Sequence, residues 1–497
     1  MAIAKVCGIE TEYGIQVVNG DPNPIAASSV LINAYAHDVA RQQTGWDFED
    51  EAPGNDARGF AREGSMPPQV ETHLVNTVLT NGARYYVDHA HPEFSTPECR
   101  DALECVRYDR AGEVVLTRSM EAADQSVRDG SHLVVYKNNS DGKGNSYGTH
   151  ENYLMDRAVP FTRIVAGITP HLVTRQLFTG AGKVGTETPT HDGADVEFQI
   201  SQRAEFFEEQ VGLETTLKRP IVNTRDEPHA DPHRYRRLHV IVGDANLAEV
   251  ATFLKVGTTA LVLAMIEDEI SGDRSLVLAD PVSAMHQVAL DRSLSAPLSM
   301  ADGTTATALD IQWELFSLAR KYAEDQGLEC LGEAAVGEQV LTRWEAVLHG
   351  LETDPMSLAR QLDWVAKLQL IEAYRERHGC AWDDHRLAAL DLQYHDLRPS
   401  RSLFARLDTE RLVDPADVAT AVSDPPRDTR AWFRGECLKK WPAAVATANW
   451  DSLVFDLGVD PLRRVPMMDP LKGTAEHTAE LLASSTDPVE LLERLSS

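Results

Sequence analysis

Asn81-Gly82-Ala83-Arg84-Tyr85-Tyr86-Val87-Asp88-His89-Ala90-His91-Pro92-Glu93-Phe94-Ser95-Thr96-Pro97-Glu98 opens on a turn dipeptide and continues as an alternating strand. Successive side chains of a strand point to opposite faces, so Arg84, Tyr86 and Asp88 share one of them. A half-buried strand that spends a whole face on a guanidinium, a phenol and a carboxylate lines a polar site rather than packing a core. Pro92 and Pro97 are read as ending the strand, which delivers Glu93 and Thr96 at its mouth.

Similar strand patterns occupy residues 4–17, 84–90, 131–138, 196–203 and 236–243. Apolar positions at helical spacing take over in residues 246–270, 308–326, 337–350 and 356–378. The layout predicts an α+β fold, a largely antiparallel sheet backed by helices. Residues 36–69 turn acidic and Gly/Pro-rich (Trp46-Asp47-Phe48-Glu49-Asp50-Glu51), as a functional lid, a linker or an idle surface insertion would. A Pro-Pro stretch within 422–428 marks a boundary, giving a large unit over 1–425 and a small one over 426–497.

Among 497 residues, 47 Lys and Arg face 77 Asp and Glu, a formal net charge of −30. That balance argues against nucleic acid or an anionic membrane as partner, and any anionic partner must meet a local basic patch. Six cysteines lie scattered without a CxxC pair, which suits a reducing cytoplasm and neither a zinc site nor a disulfide framework. Acidic residues interrupt the N-terminal stretch where a secretion signal needs an apolar run. The most apolar segment, Val256 to Ile266, falls short of the roughly 18 to 20 residues of a spanning helix and reads as a buried one.

Further polar clusters follow the same logic. In Gly8-Ile9-Glu10-Thr11-Glu12-Tyr13-Gly14, Glu10 and Glu12 share a face, which fits a Mg²⁺ site or a solvated strand surface. Ser146-Tyr147-Gly148-Thr149-His150-Glu151-Asn152 is another cluster, and in Arg234 to Asp244 the side chains of Arg237 and His239 share a face. Gln199, Ser201 and Arg203 align as well, and Arg225 lies in Asn223-Thr224-Arg225-Asp226-Glu227-Pro228-His229. Arginine forks suit phosphate or carboxylate, and a neutral imidazole either ligates a metal or serves as a hydrogen-bonded structural group. Gly180-Ala181-Gly182-Lys183-Val184-Gly185 matches a dinucleotide-loop string but runs into Thr186-Glu187-Thr188-Pro189 instead of opening a helix, so it reads as a glycine-rich turn.

Taken together, the motifs at 8–14, 79–93, 148–154, 223–231 and Thr447-Ala448-Asn449-Trp450-Asp451-Ser452-Leu453-Val454-Phe455-Asp456 resemble the Pup ligase/deamidase family over essentially the whole chain. The resemblance implies a glutamine-synthetase-like domain whose curved sheet cradles ATP and Mg²⁺, followed by a small family-specific C-terminal domain. It implies Glu10, Tyr86 and Glu93 as magnesium ligands with His150 and His239 beside them, and Arg84, Thr96, Arg237 and Trp450 as nucleotide contacts. Asp88 matches the family's catalytic aspartate, and Arg203 and Arg225 match arginines facing phosphate or the reacting glutamyl group. The acidic segment and the Asp88 to Glu93 spacing resemble the deamidase branch, with Pup–protein ligase as the alternative. The activity implied is hydrolysis of the C-terminal glutamine amide of Pup and of the Pup–lysine isopeptide bond, with ATP and Mg²⁺ as bound cofactors. The implied partners are Pup and pupylated proteins, with a functional link to the bacterial proteasome. Lys439 and Lys440 are added as candidates for a basic Pup groove.

Overall fold

Cys7, Ile9 and Thr11 are buried while Gly8, Glu10 and Glu12 are half-buried, so the first strand, β1 (Cys7–Glu12), turns one side to the core and its carboxylates to the other. The computed structural model describes residues 1–40, 44–49, 51–59, 75–126, 130–189, 195–270, 272 and 275–496. The remaining strands are β2 (Gly14–Val18), β3 (Gly45–Trp46), β4 (Asn76–Val78), β5 (Arg84–Asp88), β6 (His91–Ser95), β7 (His132–Tyr136), β8 (Thr149–Asp156) and β9 (Lys183–Val184). They continue with β10 (Phe198–Gln199), β11 (Phe207–Gly212), β12 (Arg219–Asn223), β13 (Tyr235–Val240), β14 (Leu298–Ser299), β15 (Thr305–Ala306), β16 (Val445–Ala448), β17 (Ser452–Phe455) and β18 (Arg463–Pro466). Ten of these form one sheet in the order β13-β8-β1-β6-β5-β4-β3-β16-β17-β18. Every neighbouring pair in it is antiparallel except β3 with β16.

Helices back this sheet, as the α+β reading expects: α1 (Pro24–Ala34), α2 (Ala102–Ser126), α3 (Phe161–Thr174), α4 (Glu249–Glu267), α5 (Ala308–Gln326), α6 (Ala334–Thr353), α7 (Asp363–His378) and α8 (Ala431–Lys440). Asn23 caps α1 by accepting from the Ile25 and Ala26 amides. At the centre lies α4, packed by α2, α3, α5 and α6. It is 19 residues long, longer than its most apolar stretch suggests, with a mean hydropathy of 1.6 over its 18-residue window, all of it buried inside the protein. Length alone would let such a helix cross a membrane; its position makes it the core of the helical layer.

Several expectations need correction. The first half is not mainly strand, because α2 is 25 residues long. Its charged positions hid it: Asp109 and Glu113 are buried and both bind the buried Lys137, at 2.6 and 2.8 Å. Pro92 does not end a strand but stands second in β6, which folds back on β5. Its missing N–H costs nothing there, since pairing with β1 begins only at Glu93. The strand expected over 196–203 shrinks to β10, because Asp244 draws the Gln202 amide and the Ser201 hydroxyl into a turn. The Gly180–Gly185 segment is a turn leading into β9, with left-handed backbone at Gly182 and Gly185.

Of the 36–69 segment, residues 41–43, 50 and 60–69 lie outside the described residues. The described part is a π-helical extension of α1 through Ala40, then β3, then a path past the sheet in which the Ala57 amide donates to Thr224 O at 2.8 Å. The C-terminal strands β16 to β18 extend the same sheet. They pack a separate apolar cluster in which Trp46 and Val78 join Phe433, Leu438, Leu453 and Phe455.

Candidate active site

Strand register assembles the site. Glu10 of β1 stands opposite His150 of β8, and Glu12 stands opposite Glu93 of β6. In the β5–β6 hairpin, Tyr86 pairs with Glu93 and Asp88 with His91, while His239 of β13 pairs with Asn152 of β8. The twelve residues singled out in the sequence thus fall on or around one sheet face, but the expected metal ligands divide into two neighbouring groups.

The first group is Glu10, His150 and His239, whose ligand atoms all lie within 4.8 Å of one another. Asn152 Nδ2 donates to Glu10 at 2.8 Å, and its Oδ1 accepts from Arg237 at 2.7 Å and lies 3.0 Å from His239 Nδ1. Burial by itself would raise the Glu10 carboxyl. The hydrogen bond to His150 and the nearby His239 and Arg237 overcome that and hold it well below the usual carboxylate range. Burial, reinforced by Arg237, pushes His239 well below the usual imidazole value and keeps it neutral.

The second group is Glu12, Asp88 and Glu93, again within 4.8 Å. Tyr86 donates its hydroxyl to Glu93 in a short hydrogen bond. Burial, and then repulsion from Asp88, Glu12 and Glu10, pushes Glu93 well above the ordinary range, so it holds a proton. Burial opposes ionisation of Glu12 too, yet His91 at 3.4 Å, the nearby His150 and Arg203 bring it to about 2. Gly148 lets the two groups touch: a Cβ there would collide with His150 Nε2 and come within 2.8 Å of Glu12.

On the Glu10 side, a cleft is lined by Gly8, Thr96, Glu98, Arg237, Arg430 and Trp450. The Thr96 hydroxyl accepts from the Ile9 amide at 3.0 Å. Glu98 clamps Arg430 (2.7 Å) and the fully buried Arg434, and Arg434 also donates to Trp450 O at 3.0 Å. Burial resists the Glu98 charge, but Arg434 and then Arg430 lower it to about 2. Arg84 lies between Trp46 and Tyr86, its guanidinium carbon 4.0 and 3.9 Å from the ring centroids, with Glu51 at 3.9 Å. Trp46 in turn meets Trp450 edge-on at 5.2 Å. Arg225 sits among Glu227, Arg237 and His239, and its Nε is buried without a hydrogen-bond partner.

On the Glu12 side, Arg203 is buried beyond Ser146, and Arg219 of β12 reaches the same point. Arg219 and Arg430 were not singled out by their residue pattern, and nothing in the local sequence marks them, while Asn152 was visible only as the last member of the 146–152 cluster. Glu12 was visible by alternation, without its place beside Asp88. Lys439 and Lys440 are engaged internally, with Asp424 and Glu436 and with the Leu482 and Ser485 carbonyls, so neither faces a groove.

Residues 5–454 match the Pup-ligase protein family. The chain is 52% identical over 507 residues to "Depupylase" of Acidothermus cellulolyticus, covering 99% of both. It is 48% identical over 510 residues to "Pup deamidase/depupylase" of Mycolicibacterium smegmatis, covering 99% of this chain and 100% of that one. Among solved structures it is similar to the Pup ligase PafA in complex with ADP, at TM-score 0.75 and 38% identity, covering 82% of this chain and 89% of that one.

Proposed function

This chain belongs to the Pup-ligase protein family, and from that membership we propose that it is a Pup deamidase and depupylase. It converts the C-terminal glutamine of Pup to glutamate and cuts the isopeptide bond joining that glutamate to a lysine of a tagged protein. Both are hydrolyses of one side-chain amide with different leaving amines. Identities of 52% and 48% to relatives bearing those names, against 38 to 42% to Pup–protein ligases, support this branch.

The observation that carries the chemistry is Asp88, a half-open carboxylate at the hairpin mouth beside the buried Glu93 and the half-buried Glu12. Asp88 starts the attack on the amide carbon, as base toward a water or as the nucleophile itself. The crowding of Asp88, Glu12, Glu10 and Glu93, which leaves Glu93 protonated, fits a divalent cation in place of that proton. Glu10, Tyr86 and Glu93, with His150 and His239, would hold Mg²⁺. Arg84, Thr96, Arg237 and Trp450 would hold ATP, and the unpartnered Nε of Arg225 suits a phosphate oxygen. When bound, magnesium and nucleotide supply positive charge and shape to the site; amide hydrolysis runs downhill and needs no ATP cleavage. Arg203 faces the glutamyl group.

The same reading makes residues 1–425 the catalytic unit, 426–497 a small family-specific one, and 36–69 the acidic loop of the deamidase branch. It places the protein in the cytoplasm, working with pupylated proteins bound for the bacterial proteasome, and the charge of −30 leaves no part for nucleic acid or membrane.

Intact-mass analysis with ATP, Mg²⁺, glutamine-ended Pup and a Pup–lysine conjugate tests the proposal. Deamidation of the first, seen as a mass gain, together with release of the lysine protein from the second is the expected result. Glutamate-ended Pup becoming joined to a lysine protein, with ADP formed, would make the chain a ligase instead.

A further inference from the structure

Asn152 stands on β8 between two partner strands, with Gly8 of β1 opposite it on one side and His239 of β13 on the other. Its side chain meets three members of the Glu10 niche at once. Nδ2 donates to Glu10 Oε1 at 2.8 Å, while Oδ1 accepts from Arg237 Nη1 at 2.7 Å and lies 3.0 Å from His239 Nδ1. These neighbours fix which way the amide points. An ionised carboxylate only accepts and a guanidinium only donates, so exchanging O and N would set acceptor against acceptor and donor against donor.

That orientation decides where the His239 proton sits. A bare Nδ1 would put two lone pairs 3.0 Å apart, whereas an Nδ1–H turns the same contact into a hydrogen bond to Oδ1. The competing donor is Arg237 Nη1, 3.3 Å from Nδ1, and accepting from it would leave the closer Oδ1 facing a lone pair. Arg237 keeps its shorter bond to Asn152 either way. With Nδ1 occupied, Nε2 has no hydrogen-bond partner among the described residues and keeps its lone pair. A divalent cation takes a neutral imidazole through such a lone pair. A free imidazole side chain in water carries its proton mostly on Nε2, the nitrogen that would then be blocked.

We propose that Asn152 is the positioning residue of the cation site: it holds His239 in the Nδ1–H form, which leaves Nε2 as the ligand nitrogen. By taking Glu10 Oε1 it also leaves Oε2, 3.5 Å from His150 Nδ1, as the oxygen open to the cation. One amide thus prepares two ligands before any ion arrives. This rests on the reading of Glu10, His150 and His239 as cation ligands and names what sets them in order.

Nitrogen NMR of histidine-labelled protein, free of Mg²⁺ and nucleotide, tests it by showing which ring nitrogen carries the proton. The His239 signals are assigned by their disappearance in His239→Asn. In the wild type the Nδ1–H form is expected, with Nε2 the nitrogen whose signal moves when Mg²⁺ is added. In Asn152→Leu the Nε2–H form is expected to become the major one, and calorimetric Mg²⁺ affinity to fall about 10 to 100-fold. Asn152→Asp, which keeps an acceptor for Nδ1, should retain the wild-type form. An Nε2–H His239 in the ligand-free wild type overturns the proposal, and that spectrum decides by itself should Asn152→Leu fail to fold. Wild-type Mg²⁺ affinity in a folded Asn152→Leu overturns it as well. If the Nδ1–H form is found but Mg²⁺ moves no His239 signal, the cation-ligand reading falls and takes this proposal with it.

Discussion

Glu10 and Glu12 leave the same face of β1 two residues apart, yet their neighbours differ. Around Glu10, β8 and β13 supply two imidazoles, an amide and an arginine, with Asn152 linking Glu10, Arg237 and His239. Around Glu12, β5 and β6 supply two more carboxylates, while Arg203 and Arg219 stand beyond, hydrogen-bonded to backbone carbonyls and to Ser146. The first niche sets one carboxylate among imidazoles and a guanidinium, whereas the second is crowded with like charges that a cation would relieve. The contrast teaches that role is set by the strands paired to either side rather than by residue type on one strand.

The sharpest way to break that division is Asp88→Asn. Turnover of glutamine-ended Pup should fall about 10³-fold, while ATP affinity, read by titration of the intrinsic tryptophan fluorescence, stays within about twofold. An equal loss in both would merge the two niches into one.

Next in size is the clamp that holds the Glu10-side wall. Glu98 is held at about 2 by Arg434 and Arg430 against burial, below the roughly 4.3 of a free glutamate. A depressed carboxyl stabilises the fold above its unfolded value, and that stability is lost as pH falls through 4 toward 2. Denaturant melts of wild type and Glu98→Gln should show a gap at pH 6 that narrows by up to about 3 kcal/mol by pH 3 or below. A constant gap would mean that the clamp is not ionic.

The smallest expected effect sharpens the Glu10 niche alone. His239→Asn should raise the Mg²⁺ concentration needed for half-maximal activity by about 10 to 100-fold. Calorimetric Mg²⁺ titration should show the same weakening, with thermal stability little changed.

How much of this was legible in the sequence depended on where the partners lie. Alternation in 7–12 and 84–88 put Glu10, Glu12, Tyr86 and Asp88 on their faces, since period two needs only local residues. The hairpin return was missed because Pro92 reads as a breaker until β1 is seen to start its pairing one residue later. Helix α2 was hidden because Asp109 and Glu113 look solvent-facing until Lys137 arrives from just past β7. Glu151 belongs to a polar motif, but it turns to the opposite face and meets the buried Arg175 at 2.6 Å, a partner no spacing rule indicates. The motifs at the site were readable through family resemblance; the arginines that complete it, Arg219 and Arg430, were not.

The parallel pairing of residues 45–46 with 447–448 joins segments about 400 positions apart in the chain. While the chain is being synthesised, β3 must wait for β16 until that whole stretch has been made, its edge open to other strands. Trp450 and Arg430, which wall the Glu10-side cleft, emerge with β16 and not with β1. A nascent chain is therefore without that wall until residues 430–450 have been made. Once β18 is in place, Arg463, Arg464 and Pro466 line the new outer edge, and charge and proline there discourage any further strand from adding on.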